Sequence, residues 1–192
     1  MNLVDLTGIQ RLVAGIVLMA ALAFPAHAQE QANDGEAIWQ ALQDSHWVQD
    51  GADDADTIVY TFTDPNCPYC DKFRESAAPW IKAGEVQLRH IMVGILKQSS
   101  VPKAATILGS STPSEALSRH QSAYESGGIK PDDELAKTAR RQVAENTRLM
   151  QQLGARATPT TVYRDSDGEI AAKRGAPRPG EMPAIMGSPR PE

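Results

Sequence analysis

Apolar and polar positions along this chain change their period several times, and the changes outline a mixed α/β fold. Residues 57–63 (TIVYTFT) are short, β-branched and aromatic, which is typical of a strand. Residues 70–83 (CDKFRESAAPWIKA) follow a turn and predict a helix. Residues 86–96 alternate at first and then become continuously apolar, as in a strand that is buried on both faces. The order predicts a β-α-β unit.

Helices are predicted on both sides of this unit. Residues 36–48 carry Ile38, Trp39 and Leu42 at helical spacing, and Asp34 is a candidate N-cap. The chain changes character after the second strand, and further helices are predicted at 102–108, 114–125 and 132–153. This part predicts an all-helical insertion at about 102–153, which would form either a solvated cap or one wall of a cleft.

The last part of the chain returns to strands. Residues 160–164 and 169–174 flank Asp165-Ser166-Asp167-Gly168, a strong signal for a β-hairpin. Residues 179–186 predict a short terminal helix. The order β-α-β, helical insertion, β-β-α predicts an α/β fold of the thioredoxin-like class.

The only two cysteines of the chain are three positions apart, in Cys67-Pro68-Tyr69-Cys70 at the predicted helix start. A cysteine at a helix N-terminus is stabilised as a thiolate, which is the nucleophile of thiol–disulfide exchange, and a second cysteine resolves the mixed disulfide. A structural disulfide would close a longer loop. A zinc site would need ligands from His46, His90 or His120, and none of these lies at ligand spacing from another. We therefore expect a redox pair, with no metal and no cofactor.

A second motif, Thr158-Pro159, stands directly before the hairpin. Proline is tolerated at the start of a strand but not inside a central one. In thioredoxin-like folds the proline at this place is cis and faces the Cys-x-x-Cys pair. We therefore expect the backbone of Thr158 beside Cys67, where it could pair with an extended substrate segment.

The amino terminus and the charge indicate where the protein works. An apolar run at residues 12–24 and the small residues of Ala26-His27-Ala28 predict a cleavable signal peptide, cut before Gln29. Export to the periplasm would permit disulfide chemistry. The net charge of −5 and the lack of a basic stripe argue against nucleic acid as a partner.

The chain resembles the DsbG/DsbC family of periplasmic thiol:disulfide interchange proteins. The resemblance rests on residues 60–70 (YTFTDPNCPYC), 86–96 and 149–159, and the DsbG branch is the nearer. It implies that Cys67 is an exposed nucleophile, that Cys70 resolves, and that Thr158 and Pro159 form the cis-proline loop. Pro68 and Tyr69, between the cysteines, join that loop as candidate substrate contacts.

The resemblance also implies partners: exported client proteins, and a membrane redox protein that is either a DsbD-like reductant or a DsbB-like oxidant. Family members carry an amino-terminal dimerisation domain, for which residues 29–35 leave no room, so a monomer is expected. The interpretation divides the chain into a signal peptide (1–28), a linker helix and acidic link (29–56), a thioredoxin-like domain (57–187) and a tail (188–192).

The expected function is reduction or isomerisation of disulfides, or of sulfenylated cysteines, in exported proteins. Two alternatives stay open. One is a monomeric DsbA-like oxidase, which differs in the direction of electron flow. The other is a chaperone-like module that binds clients and whose cysteines are secondary. A further expectation concerns His90 in the second strand, where a hydrogen-bonded structural histidine is expected rather than a catalytic one.

Overall fold

A computed structural model describes the backbone of residues 26–192 and the side chains of residues 34–192. The predicted signal peptide therefore lies outside the described residues except for its last three, and its cleavage site stays a prediction. The helices are α1 (Ala26–Gln43), α2 (Pro68–Lys82), α3 (Ser100–Leu108), α4 (Pro113–Ser122), α5 (Asp133–Gln152) and α6 (Met182–Met186). The strands are β1 (Trp47–Asp50), β2 (Thr57–Thr63), β3 (Val86–Met92), β4 (Thr160–Arg164) and β5 (Ile170–Arg174).

The five strands form one mixed sheet in the order β1-β3-β2-β4-β5. The central pair, β2 and β3, is parallel, with Thr57 opposite Val86 and Thr63 opposite Met92. All other pairs are antiparallel. Because β2 and β3 run in the same direction, their carboxyl ends meet at one edge of the sheet, and α2 begins there. The structure confirms the thioredoxin-like fold class that the sequence predicts.

The sheet is covered by helices on both faces, as the alternation along β2 requires. Tyr60 and Phe62 pack with Trp39 and Leu42 of α1 on one face. Val59 packs on the other face with residues of α2 and α6, among them Trp80. Each face of the sheet therefore buries its own apolar cluster. The two cysteines lie outside these clusters, at the carboxyl edge of β2 and β3.

The helical insertion predicted at about 102–153 is present and forms a third apolar cluster against β1 and β3. Its helices are α3, α4 and α5, and a short 3₁₀ turn (Tyr124–Ser126) continues α4 where a single longer helix is predicted. Asp132 caps α5 by accepting the N–H groups of Glu134 and Leu135 at 3.0 and 3.1 Å. In the described part of the chain, no helix combines the length and the apolar character needed to cross a bilayer.

The prediction of a helix over residues 36–48 is wrong at both ends. α1 already starts at Ala26, so the predicted N-cap Asp34 lies inside the helix, and α1 ends at Gln43. Residues 47–50 leave the helix because their backbone pairs with β3, Trp47 opposite Ile91 and Asp50 opposite Leu88. A strand of four residues with aromatic and polar members gives no local signal that separates it from a last helical turn.

The strand predicted over residues 86–96 is also shorter in the structure and ends at Met92. The N–H of Val93 still reaches the carbonyl of Thr63 at 2.9 Å, but the next residues turn away from the sheet. The N–H groups of Ile95 and Leu96 are bound instead by the side chain of Asp64, at 2.8 and 3.0 Å. The apolar run continues past the strand because it forms a loop beside the cysteines.

Candidate active site

Cys67 occupies the N-cap position of α2, at the carboxyl edge of the central strands. Its backbone is extended (φ −88°, ψ 112°), and Pro68 follows at the first helical position, where no N–H is needed. The turn before it is closed by hydrogen bonds from the N–H of Cys67 to the carbonyl of Asp64 (2.9 Å) and from the N–H of Asn66 to the Asp64 carboxylate (2.8 Å). The turn of Asp64-Pro65-Asn66 thus holds Cys67 at the N-terminus of α2, next to the N–H groups of the first helical turn.

The fold brings the two sequence motifs together at this point. Cys67 Sγ accepts the N–H of Cys70 at 3.3 Å, and its thiol donates to the backbone carbonyl of Thr158 at 3.2 Å. The Thr158-Pro159 peptide bond is cis, as the motif predicts. Both cysteines are thiols in the structure. The Cys-x-x-Cys turn and the cis-proline loop therefore lie in contact.

The surroundings of the two sulfurs push their acidities apart. The hydrogen bond from the Cys70 thiol lowers the pKa of Cys67 to about 6, against the burial that raises it. The side chain of Thr158 and the N–H groups of Cys70 and Tyr69 lower the pKa of Cys67 further. The Thr158 hydroxyl is buried and has no hydrogen-bond partner among the described residues, so it is available to the sulfur when Cys67 ionises. Burial raises the pKa of Cys70 strongly, and the neighbouring Cys67 raises it more. These shifts favour ionisation of Cys67 near neutral pH and keep Cys70 protonated.

The expectation of an exposed Cys67 is wrong. Only 2% of the residue's surface is exposed, because its N–H is bound within the turn before it and its sulfur contacts the cis-proline loop. Thr158 and Pro159 are likewise buried. Among the predicted site residues, Pro68 and Tyr69 are the ones at the surface, and Tyr69 is 59% exposed. The sulfur of Cys67 is therefore buried next to the exposed side chains of Pro68 and Tyr69.

Asp64 lies in the turn between β2 and α2, and its buried side chain also connects three separate segments of the chain. The side chain is buried, and its carboxylate accepts four hydrogen bonds: from the N–H groups of Asn66, Ile95 and Leu96, and from the hydroxyl of Ser100 at 2.8 Å. It thereby ties the turn before Cys67 to the loop after β3 and to the start of α3. Three of the four donors are more than thirty residues away in the chain, so local sequence could not reveal this role.

Two buried histidines, His90 and His120, line the same small cavity as the cysteines, and their ring nitrogens make different hydrogen bonds. His120 accepts the N–H of Ile129 at Nδ1 (3.1 Å), so its Nε2–H donates to the carbonyl of Pro65 (2.8 Å). His90 contacts the hydroxyl of Thr63 through Nδ1 at 3.0 Å, but its Nε2 is buried without a hydrogen-bond partner among the described residues. The hydrogen bond expected of a structural histidine is present at Nδ1 of His90, whereas Nε2 makes a longer contact, 3.8 Å from the Asp50 carboxylate.

Comparisons with known proteins show the family to which the chain belongs. The sequence pattern of the thioredoxin-like domain family matches residues 51–188. The thiol:disulfide interchange protein DsbG of Pseudomonas aeruginosa is 44% identical over 150 residues, which are 78% of this chain and 59% of the relative. DsbG of Escherichia coli K12 is 34% identical over 154 residues, which are 80% of this chain and 62% of the relative. The chain thus spans about three-fifths of the length of these curated relatives.

A solved structure shares the fold. The catalytic domain of Proteus mirabilis ScsC superposes with a TM-score of 0.64 at 21% identity, and the match covers 81% of this chain and 96% of that domain. The likeness supports the arrangement of sheet, helices and insertion described above.

Proposed function

Since the chain belongs to the thioredoxin-like domain family and is similar to DsbG proteins, we propose that it is a thiol:disulfide oxidoreductase. Cys67 is the proposed nucleophile and Cys70 the resolving cysteine. The observation that carries the proposal is the pairing of opposite acidities at one helix start, a sulfur whose pKa is lowered to about 6 beside a sulfur whose pKa burial raises. A redox dithiol needs this division, because one sulfur must attack while the other stays protonated until the second step.

In the reductive direction, the Cys67 thiolate attacks one sulfur of a client disulfide. The new Cys67–client disulfide forms as the client's own disulfide breaks, and the other client sulfur leaves as a thiolate that takes up a proton. Cys70 then loses its proton and attacks Cys67 Sγ. The Cys67–Cys70 disulfide forms, the mixed disulfide breaks, and the client leaves with both sulfurs reduced. The enzyme has given up two electrons, which a redox partner must return.

Client recognition would use the backbone of Thr158. Thr158 lies outside the sheet pairing, whose β2–β4 register starts with Phe62 opposite Thr160. An extended client segment laid along this loop would meet main-chain groups rather than specific side chains, which makes recognition tolerant of sequence. Ionisation of Cys67 removes the thiol hydrogen bond to the Thr158 carbonyl, so the reactive state frees that acceptor for the client.

The surface around the sulfur suits apolar clients. Tyr69, Ile95 and Leu96 are among the few large apolar side chains that stay exposed, with Leu96 48% exposed. Tyr69 is on the first turn of α2, and Asp64 binds the loop of Ile95 and Leu96 to the turn before Cys67. Exposed apolar groups gathered near a reactive sulfur favour unfolded segments of clients, in which such groups are also exposed.

We further propose that the clients are exported proteins and that the reaction takes place in the periplasm, in line with the predicted signal peptide. A DsbD-like membrane reductant would then keep the pair reduced. A sulfenic acid on a client cysteine could be reduced by the same two steps, with the oxygen leaving as water. A second candidate is the DsbA-like oxidase, which the lowered pKa of Cys67 favours, because a stabilised thiolate makes the dithiol the preferred state and the disulfide a stronger oxidant.

Reduction of insulin disulfides by the purified chain, with glutathione as the electron source, tests the proposal. We expect Cys67→Ser to abolish the activity and Ser76→Ala, on the exposed side of α2, to retain it. Full activity of Cys67→Ser would overturn the proposal. The direction of electron flow is measured separately by alkylating the cysteines in acid-trapped cells. A mostly reduced pair supports the reductase, and a mostly oxidised pair supports the oxidase.

A further inference from the structure

Two exposed lysines lie beside the first turns of α2. Lys72 is on α2 itself, with Nζ 5.9 Å from the centre of the Tyr69 ring, and Lys97 is on the loop after β3. Both line a surface groove with Asn66, which directly precedes the reactive cysteine. A third lysine, Lys103, points inward and donates to the side chain of Asn66 at 2.9 Å. Burial lowers the pKa of Lys103, and the charge of Lys97 lowers it further, so these positive charges lie close together.

Two exposed arginines belong to the cis-proline loop and to the strand beside it. Arg156 stands two positions before Thr158, whose carbonyl is 3.2 Å from the sulfur of Cys67. Since consecutive Cα atoms are 3.8 Å apart, its backbone lies within about 8 Å of the Thr158 backbone. Arg174 ends β5, and the N–H that follows it donates to the carbonyl of Pro159 at 2.8 Å. Both arginines thus start from the segment that contacts the sulfur.

These four exposed cations are termed the basic rim: Lys72, Lys97, Arg156 and Arg174. None of them forms an ion pair with a carboxylate among the described residues. Two carboxylates, Asp71 and Glu125, line the same groove as the lysines and weaken the positive potential there. The four cations outnumber them, so the end of the sheet that carries the sulfur stays positive although the chain has a net charge of −5.

The opposite edge of the sheet is acidic. The link after β1, the residue before β3 and the hairpin between β4 and β5 bring these carboxylates there: Asp53, Asp54, Asp56, Glu85, Asp165, Asp167 and Glu169. β2 has seven residues with a rise of about 3.3 Å each, so it separates the two edges by roughly 20 Å. Salt screens exposed charges over about 8 Å at physiological ionic strength. The acidic edge therefore does not cancel the positive potential of the basic rim.

We propose that the basic rim selects client segments that carry aspartate or glutamate next to the reactive cysteine. The inference rests on the proposed function and adds the charge of its substrate. In an extended segment laid along Thr158, residues one or two positions from the client cysteine lie roughly 3–7 Å from it. The long lysine and arginine side chains of the rim can reach carboxylates at these positions and bind them through charge-assisted hydrogen bonds. The positive potential also raises the rate at which an acidic segment meets the sulfur.

The test compares two dimeric peptide disulfides that differ in the residues flanking the cysteine, aspartate in one and asparagine in the other. The rate of mixed-disulfide formation with the reduced full chain is measured for each by quenching in acid and mass spectrometry. The readout is the ratio of the aspartate rate to the asparagine rate. A general change in the reactivity of the sulfur alters both rates equally, so the ratio reports the effect of charge.

We expect the ratio for the parent protein to be about tenfold higher at low salt than at about 1 M salt, where charges are screened within about 3 Å. Tenfold is the lower end of the range for electrostatic steering. Lys97→Gln combined with Arg156→Gln removes one rim cation from each side of the site, and the salt effect should fall to about threefold.

Lys82→Gln combined with Arg190→Gln is the matched control, because it removes the same charge from two exposed residues at the far end of α2. Lys82 is ten positions from Lys72, or about 15 Å along the helix. The control should keep the ratio of the parent. A parent ratio that does not change with salt would overturn the inference, as would an equal loss in the control and the rim variant. A parent that forms no mixed disulfide with either peptide would instead overturn the proposed function.

Discussion

Cys67 Sγ lies 3.2 Å from the backbone carbonyl oxygen of Thr158, ninety-one positions further along the chain. This contact joins the first turn of α2 to the loop before β4, and it places a reactive sulfur against a backbone segment that takes no part in the sheet. The proposed nucleophile and the proposed recognition loop are therefore in direct contact. A change at Thr158 should act on the acidity of the sulfur as well as on the client.

The thiolate of Cys67 should form at an unusually low pH. Since the pKa of Cys67 is lowered to about 6, the rate of its alkylation should rise with pH up to about 7 and then stay level. Thr158→Val keeps the β-branched shape and removes the hydroxyl that stabilises the thiolate, so the midpoint should move to higher pH. Stopped-flow alkylation, or thiolate absorbance near 240 nm, measures it. A parent midpoint near 9, the ordinary value, would contradict the prediction.

The stability of the dithiol form should depend on pH through the same sulfur. Between about pH 6 and 9 the unfolded chain holds a proton on Cys67 that the folded dithiol has lost, so the free energy of unfolding should rise with pH in this window. The gain should be lost as the pH falls through 6. The full shift corresponds to roughly 4 kcal/mol. Urea unfolding under reducing conditions should show the rise in the parent, and Cys67→Ser should lack it.

Asp64 should be one of the costliest polar residues to remove. Asp64→Ala leaves the N–H groups of Asn66, Ile95 and Leu96 and the hydroxyl of Ser100 without their acceptor. Each orphaned buried donor costs about 1–3 kcal/mol, and relaxation or water recovers part of this. We expect a loss of about 2–4 kcal/mol in urea unfolding. Asp54→Ala, at an exposed site in the acidic link, should stay within about 0.5 kcal/mol. Equal losses in the two variants would rule out the proposed anchoring role.

Gly109 should tolerate no side chain, although its φ of −80° is open to any residue. A Cβ there would lie 2.1 Å from the carbonyl oxygen of Leu135, because α3 and α5 pack closely at this point. We expect Gly109→Ala to cost about 1–3 kcal/mol, the usual penalty of overpacking. Gly180 has open space around it, so Gly180→Ala should be nearly neutral. Thermal or urea unfolding of the two variants checks the contrast.

The features that sequence could predict are those with local causes. The strand at 57–63, the helix after Cys67, the hairpin around Asp165-Ser166-Asp167-Gly168 and the insertion all follow from period, turn chemistry and capping. The cis bond at Thr158-Pro159 is the exception, because its prediction also uses the cysteine motif about ninety positions earlier. The other features are each encoded by a few neighbouring residues.

The rest depends on partners that are distant in the chain. The edge strand at 47–50 exists because β3 pairs with it. The carboxylate of Asp64 gathers donors from a loop about thirty residues away. The approach of His90 Nε2 to the Asp50 carboxylate, at 3.8 Å, depends on the pairing of β1 with β3. A single sequence contains these residues, but it does not show which distant residues they contact.

The division of labour between the two cysteines is tested most directly by trapping the mixed disulfide. A disulfide-bonded peptide is mixed with the Cys70→Ser and Cys67→Ser variants at neutral pH, and the products are analysed by mass spectrometry. We predict a stable adduct on Cys67 in Cys70→Ser. Cys67→Ser should form almost none, because burial keeps the remaining thiol protonated. An adduct on Cys70, or equal amounts in both variants, would contradict the assignment of Cys67 as the nucleophile.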